Sequence, residues 1–432
     1  MIYYAKVGSM NVNKIFKKEL VLLFLIIAGF IFIRSVYFTE HLNFSADQAE
    51  QSTDILQFYH QHKIPLIGNP INSTIYQGHF LYQGPGYYYM LFPFLLLTNF
   101  DPIHSSYFFM LFCALMVIPL YYGMKLLINR NAALIMVIMY SFLPYYLNYT
   151  RFHWNPNYQL SLLPLLLLLM GLYKKYKSQK LFFLIAIFLG FLFQFHYQFI
   201  IIILGMAVYY FLIKKVSPIL LSHFFIGLVI GVSPLILFDL KHDFYNIRTL
   251  LLFINHHNEV TSAGGITTPH YYLSLSFMLL VSVLAFVRNK LPKGKTFFYA
   301  LSVLTLVLFT WSAVLNFQKP STAFWSYAPN WNYTDTEKVY QIIKAENLKD
   351  YNVADLTYYN TKASTIKFLL KRDNVDINYE DYYHNKYLFV EKANNTKFND
   401  TLSYEVAFLK PVKLLHTWKI NDYYNLYLLK RL

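Results

Sequence analysis

Long apolar runs separated by short basic connections set the pattern of the chain. A basic stretch (Lys6, Lys14, Lys17, Lys18) leads into a first apolar run, Leu20–Phe38, and a polar region follows from Thr39 to Gln83. No small-residue cleavage site follows that first run, so it reads as a retained anchor. Tyr87–Leu97 stays apolar for about 11 residues, short of the roughly 17–25 that cross a bilayer. It predicts a helix lying at the interface or a re-entrant one. Further runs follow at Ser105–Leu127, Ala132–Tyr149, Tyr158–Tyr173, Leu181–Phe195, Phe199–Ile213, Ile219–Leu237, Tyr271–Val287 and Phe297–Leu315. With the first run they make about nine membrane-spanning helices.

From Asn316 the chain turns polar. Thr334-Asp-Thr-Glu337 predicts a capping box opening a helix to about Asn347. Asp350–Leu356 and Lys386–Val390 read as strands, Ser364–Leu370 as a helix, and Val412–Trp418 with Tyr423–Leu429 as a hairpin. The expected fold class is an α-helical polytopic membrane protein with a small C-terminal extracytoplasmic α/β domain. The expected division is residues 1–315, with a first outer loop at 39–104, and residues 316–432.

Composition agrees with a bilayer rather than water. The 432 residues are 56% hydrophobic and 14% charged, against about 25% charged in soluble domains. The net charge of +15 would suit nucleic acid if it formed one patch, but it is spread over connections. Lys125 and Arg130, then Lys174, Lys175, Lys177 and Lys180, then Lys214 and Lys215, then Arg288, Lys290, Lys293 and Lys295 fall on one side of the membrane. The opposite side holds Lys63, Arg151, Lys241 and Arg248, with Arg34 near the end of the first span. This bias puts the basic loops in the cytoplasm and the polar loops and tail outside, in a multi-pass protein of the cell (plasma) membrane. The single Cys113 excludes a disulfide framework and a cysteine metal site. Asn-X-Ser/Thr triplets such as Asn72-Ser-Thr74 carry little weight in an Asn-rich chain.

Chemistry collects in the outer polar loops. Asp47, Glu50 and Asp54 sit at spacings that share one face if helical. Arg151, His153 and Asn155 lie in a second loop, His196 in a third, and Lys241, His242 and Arg248 in a fourth. Cations beside a carboxylate suit sugar transfer from a lipid phosphate, because the departing phosphate needs positive charge and the acceptor hydroxyl needs a base. Simpler roles stand beside these. Asp47 and Glu50 can form a solvated helix face, His196 a turn, and Arg151 and Arg248 can snorkel to headgroups. Trp154 suits the aromatic belt, and Gly84-Pro85-Gly86 suits a turn between helices.

The motif order resembles the bacterial branch of the protein-mannosyltransferase-like enzymes (glycosyltransferase family 39 and related) of the GT-C superfamily. The pieces are Asp47-Gln48-Ala49, Gln83-Gly84-Pro85-Gly86-Tyr87-Tyr88-Tyr89, Arg151-Phe152-His153-Trp154-Asn155-Pro156-Asn157, Gly190 to Tyr197, and Ser233 to His242. The resemblance implies a GT-C fold, a polyprenyl-phosphate sugar donor, extracytoplasmic catalysis with inversion, and a catalytic aspartate at the position of Asp47. It implies a glycan, lipid or protein hydroxyl as acceptor, and a hexosyl- or pentosyltransferase. Relatives often carry Asp-Gln-x-Arg-Asp, whereas Glu50 and Gln51 stand here, so Glu50 or Asp54 takes the second acidic role. Tyr82, Gly84, Pro85, Arg151, His153, Asn155, His196, Lys241, His242 and Arg248 are the candidates for binding the donor phosphate and the substrate. A divalent cation (Mg or Mn) could join Asp47 to a phosphate oxygen, although no ligand cluster demands one. Two other readings are a lipid-linked-sugar flippase and a ligase joining lipid-linked glycans. The first favours symmetric halves and midplane polar residues, the second a large late loop.

Overall fold

The computed structural model describes residues 2–71, 78–213, 217–255, 269–323, 327–357, 361–375, 377, 381–394 and 404–432. The triplet at Asn72 and the basic pair Lys214 and Lys215 lie outside these residues. The chain is mostly helical, with a small sheet near its C-terminal end. It divides into two compact units. The first comprises Met1–Val36, Pro65–Leu91 and Tyr107–Phe317, and the second Tyr37–Ile64, Phe92–Ser106 and Gln318–Leu432.

The first unit is mainly helical. Among the described residues, three helices are long and apolar enough to cross a bilayer: Pro102–Leu127, Asn155–Tyr176 and Gly294–Asn316. Two bent pairs raise the number to five: Arg130–Phe142 with Pro144–Thr150, and Pro218–Gly231 with Ser233–Lys241. The expected number, about nine, also counts runs that fold as shorter apolar helices, Gln179–Phe193, Tyr197–Phe211 and Leu273–Val287. Gln179–Phe193 and Leu273–Val287 each have 15 residues, about 22 Å of helix at 1.5 Å per residue against a core of about 30 Å. Gly86–Leu97, at 12 residues, is shorter still, as the apolar run indicated. Asn155–Tyr176 shows why such a helix forms. Pro156 stands in the first turn, where a missing N–H costs nothing, and Lys174 and Lys175 sit in the last turn against the negative end of the dipole. Apolar side chains such as Phe24, Leu204, Phe286 and Leu306 stay exposed, the surface expected of helices facing lipid.

Glycine sets one close crossing. A Cβ on Gly231 would come within 2.2 Å of the Ile187 carbonyl, and one on Gly190 within 2.6 Å of the Leu228 carbonyl. Helices Gln179–Phe193 and Pro218–Gly231 therefore meet backbone to backbone, as small residues allow between membrane helices.

The two bends are accounted for bond by bond. They lie 61° and 64° off straight, just before Pro144 and Pro234, each of which lacks an N–H for the preceding turn. At the first, Arg34 Nη1 donates to the Ser141 carbonyl at 2.9 Å and Ser312 Oγ to the Phe142 carbonyl at 2.6 Å. At the second, Gln194 Nε2 donates to the Gly231 carbonyl at 2.6 Å. Carbonyls released from a helix ladder thus find side-chain donors from other helices, which a water-poor surrounding requires.

The second unit holds a four-stranded sheet: β1 (Tyr351–Asp355), β2 (Tyr387–Ala393), β3 (Val412–Lys419) and β4 (Tyr424–Arg431), in the order β1-β2-β4-β3. β1 and β2 are parallel, with helix Ser364–Arg372 between them in sequence, and β3 and β4 form the expected antiparallel hairpin. Its core includes Val353, Leu388, Val390, Val406 and Leu429. Helix Tyr333–Glu346 opens two residues ahead of the expected box. Asn332 Oδ1 accepts from the Thr334 N–H at 2.9 Å, and Asp335 reaches back to the Asn332 N–H at 3.0 Å. Burial of Tyr333, inside the first turn, decides that register. Helix Tyr404–Leu409 was not expected; its six residues are too few to show a helical period.

Replacing Ser312 by Ala, or Arg34 by Met, is expected to leave the carbonyl at the first bend without a donor, at a cost of about 1–3 kcal/mol. Thermal unfolding of the detergent-solubilised protein checks this. A melting temperature unchanged in both variants would remove the bend knot as a source of stability.

Candidate active site

The acidic candidates belong to the second unit. Ser45 precedes helix Ala46–His60, and its N–H and Oγ both donate to Gln48 Oε1, at 3.2 and 2.9 Å. This reciprocal cap starts the helix so that Asp47 falls in its first turn, where the dipole favours a negative charge. Gln48, Ala49, Gln51, Ser52, Thr53, Ile55 and Leu56 form the buried face, and the helix packs on helix Ser364–Arg372. Asp47 is exposed, while Glu50 and Asp54 are half-buried. Glu50 Oε1 accepts a hydrogen bond from Ser364 Oγ at 2.9 Å, so this carboxylate is tied to the neighbouring helix. Desolvation by surrounding protein, and then the Glu50 charge, raise the Asp47 pKa to about 6. A carboxyl that titrates near neutrality is suited to take and release a proton.

The remaining candidates belong to the first unit, and several converge. Tyr82 is held on both sides of its peptide. Its N–H donates to Asn246 Oδ1 at 2.8 Å, and its carbonyl accepts from Asn246 Nδ2 at 2.9 Å and from the Tyr197 hydroxyl at 2.5 Å. Asp239 Oδ1 accepts from the Asn246 N–H at 2.7 Å and fixes that asparagine. Gly84 donates its N–H to the Gln194 carbonyl at 3.0 Å, and a Cβ there would stand 2.5 Å from Gln194 Cβ. Close backbone approach, rather than a turn alone, is why glycine precedes Pro85. Asn155 donates to Gln83 Oε1, joining the start of helix Asn155–Tyr176 to the same segment. His153 lies with Nδ1 at 2.7 Å from the Tyr158 hydroxyl and stacks on that ring. His196 is buried, and its Nδ1 accepts from the Gln198 N–H at 3.3 Å. Desolvation lowers its pKa to about 4, so it is a neutral ring near pH 7.

The cations separate into two kinds. Arg151 is fully buried and spends its donors on protein: on Asn148 Oδ1 at 3.2 Å, on the Ile33 carbonyl at 3.4 Å, and on Asn316 Oδ1. Lys241, His242 and Arg248 are exposed, and His242 Nδ1 lies 2.8 Å from the Phe238 carbonyl with its ring over Phe238. Arg34, Gln194, Tyr197 and Asn246 were not among the candidates, although they hold the candidates or the bends in place. The sequence marks Gln194, Tyr197 and Asn246 as polar residues at the ends of apolar runs, but not which loop each one meets. Among the described residues, no group of three or more His, Cys, Asp or Glu is placed to hold a metal ion.

Residues 82–238 match the family model of dolichyl-phosphate-mannose-protein mannosyltransferase. This family is of the GT-C type, and it indicates glycosyltransferase activity. The resemblance carried by the motifs from Gln83 to Asp239 is thereby met by an independent comparison over nearly the same stretch. Asp47 and Glu50 precede the matched residues. The match covers 157 of the 432 residues, and the chain has helices long and apolar enough to cross a membrane. No curated protein matches the chain.

The raised Asp47 pKa has a sign that can be checked. An acid whose folded pKa lies above the ordinary 3.8 stabilises the fold below that value and loses the contribution as pH rises through about 6. Asp47→Asn is therefore expected to be more heat-stable than the parent at pH 8, with the difference shrinking towards pH 4. Equal melting curves for the two proteins at every pH would contradict the shift.

Proposed function

We propose that the protein transfers a glycosyl residue from a polyprenyl-phosphate-linked sugar to a hydroxyl of an extracytoplasmic acceptor, with Asp47 as general base. The family match over residues 82–238 carries this reading, because it indicates glycosyltransferase chemistry in a chain rich in membrane helices. The position of Asp47 supports its role: an exposed residue in the first turn of a capped helix, with a carboxyl pKa near 6.

In this reading Asp47 takes the proton of the acceptor hydroxyl as the oxygen attacks the anomeric carbon. The bond from that carbon to the phosphate oxygen breaks, and the lipid phosphate leaves with the electron pair. Exposed Lys241 and Arg248 are the cations suited to meet the developing phosphate charge. His242 and the neutral His196 serve as hydrogen-bonding groups, and the fixed segment Tyr82–Gly84–Pro85 shapes the donor side together with His153 and Asn155. Arg151, enclosed among protein acceptors, contributes by holding this part of the helical unit in shape. Glu50, bonded to Ser364, positions the helix and raises the Asp47 pKa by its charge.

Membranes supplied with a panel of polyprenyl-phosphate sugars test the proposal. Transfer is expected to rise with pH through about 6, as Asp47 ionises. Asp47→Asn should lower the rate by at least about 100-fold with donor binding retained, the usual scale for loss of a general base. Full transfer in that variant would end the assignment. Movement of labelled donor across the bilayer without any transfer would favour a flippase instead. Lys241→Ala and Arg248→Ala are expected to weaken donor binding, more at low ionic strength than at high.

A further inference from the structure

The second unit also contains a cavity of about 50 Å³ that the transferase reading does not use. It lies at the carboxyl ends of β1 and β2, where a parallel pair with a crossover helix leaves a crevice. Asp355 ends β1 and pairs in register with Glu391 of β2, and both line the cavity with Ser45, Thr336, Thr357 and Ser364. Thr357 donates its N–H at 2.8 Å and its hydroxyl at 2.5 Å to Asp355 Oδ1, which fixes that carboxyl.

Glu391 is the unusual member. It is 3% exposed, and its Oε1 has no hydrogen-bond partner among the described residues. The charged groups acting on it are Asp355 and Asp335, both acids. Among the described residues no lysine, arginine or histidine lines the cavity, although the chain carries an excess of 15 positive charges. A buried carboxyl beside a second, half-buried acid is costly, and a counter-charge is what would offset that cost. The space holds about three or four waters, or one partly hydrated ion. The surrounding donors are carboxylate and hydroxyl oxygens, the ligands preferred by hard cations that keep some of their water.

We propose that the Asp355–Glu391 cavity binds one hard divalent cation, Ca²⁺ or Mg²⁺, through the two carboxylates and the adjoining hydroxyl oxygens. The ion joins the ends of β1 and β2 to Ser45 and Ala46, the residues that open the helix carrying Asp47, and so stabilises the second unit. The site is independent of the transferase reading, since neither carboxylate takes part in the proposed transfer.

Full-length protein in detergent, stripped with EDTA, is titrated with CaCl₂ and with MgCl₂ by calorimetry and thermal unfolding. One ion per chain is expected to bind at up to millimolar concentration, and saturation is expected to raise the melting temperature by about 5 °C. Glu391→Gln and Asp355→Asn should each bind at least about tenfold more weakly and lose the shift. Glu405→Gln, which alters another buried acid of the same unit, should retain both. Parent protein that neither binds nor shifts with millimolar Ca²⁺ or Mg²⁺ overturns the proposal, whether or not the variants fold. Binding by Glu391→Gln equal to the parent overturns it as well.

Discussion

In a chain this apolar, every backbone carbonyl that leaves a helix ladder must find a donor within the protein, and this constraint organises the helical unit. A straight span meets it without help. The segments around Pro144 and Pro234 do not, and both are bent. At one, Arg34 and Ser312 reach the carbonyls of Ser141 and Phe142; at the other, Gln194 reaches Gly231. These polar side chains are far away in sequence from the carbonyls they serve. The bends are therefore tertiary features, held by other helices as much as by proline.

The same demand explains the placement of charge. Arg34 and Arg151 are large cations with no exposed surface, and carbonyl, amide and hydroxyl oxygens accept from several of their donors. Glu19 is likewise buried, and it is met by Lys125 at 2.8 Å and Arg130 at 3.0 Å. Exposed cations such as Lys241 and Arg248 carry no such obligation, which leaves them suited to an anionic ligand. A cation near a candidate site is thus not by itself a candidate ligand. How its donors are spent separates the two kinds.

Carboxylates follow the opposite logic in the second unit. Asp47 sits in the first turn of a helix, where the dipole favours its charge, but surrounding protein and the Glu50 charge oppose ionisation and raise its pKa. Glu391 is buried beside its register partner Asp355, and among the described residues that line their cavity none is basic. One arrangement suits proton transfer, the other suits a bound counter-ion.

Much of this was legible from residue order. Apolar runs located most helices of the first unit, turn residues and period-two stretches located the four strands, and the motifs from Gln83 to Asp239 pointed to the family that residues 82–238 match. These are local signals, because backbone propensity, hydropathy and motif spacing act over a few neighbouring residues. Tertiary structure alone decided where apolar runs break, that Arg151 faces protein acceptors, that Asn246 clasps Tyr82, and that Asp355 meets Glu391. Each depends on partners brought together by packing, across separations of 36 residues for the acid pair and 164 for Asn246 and Tyr82. Over such distances one sequence carries no record of which polar group will satisfy which.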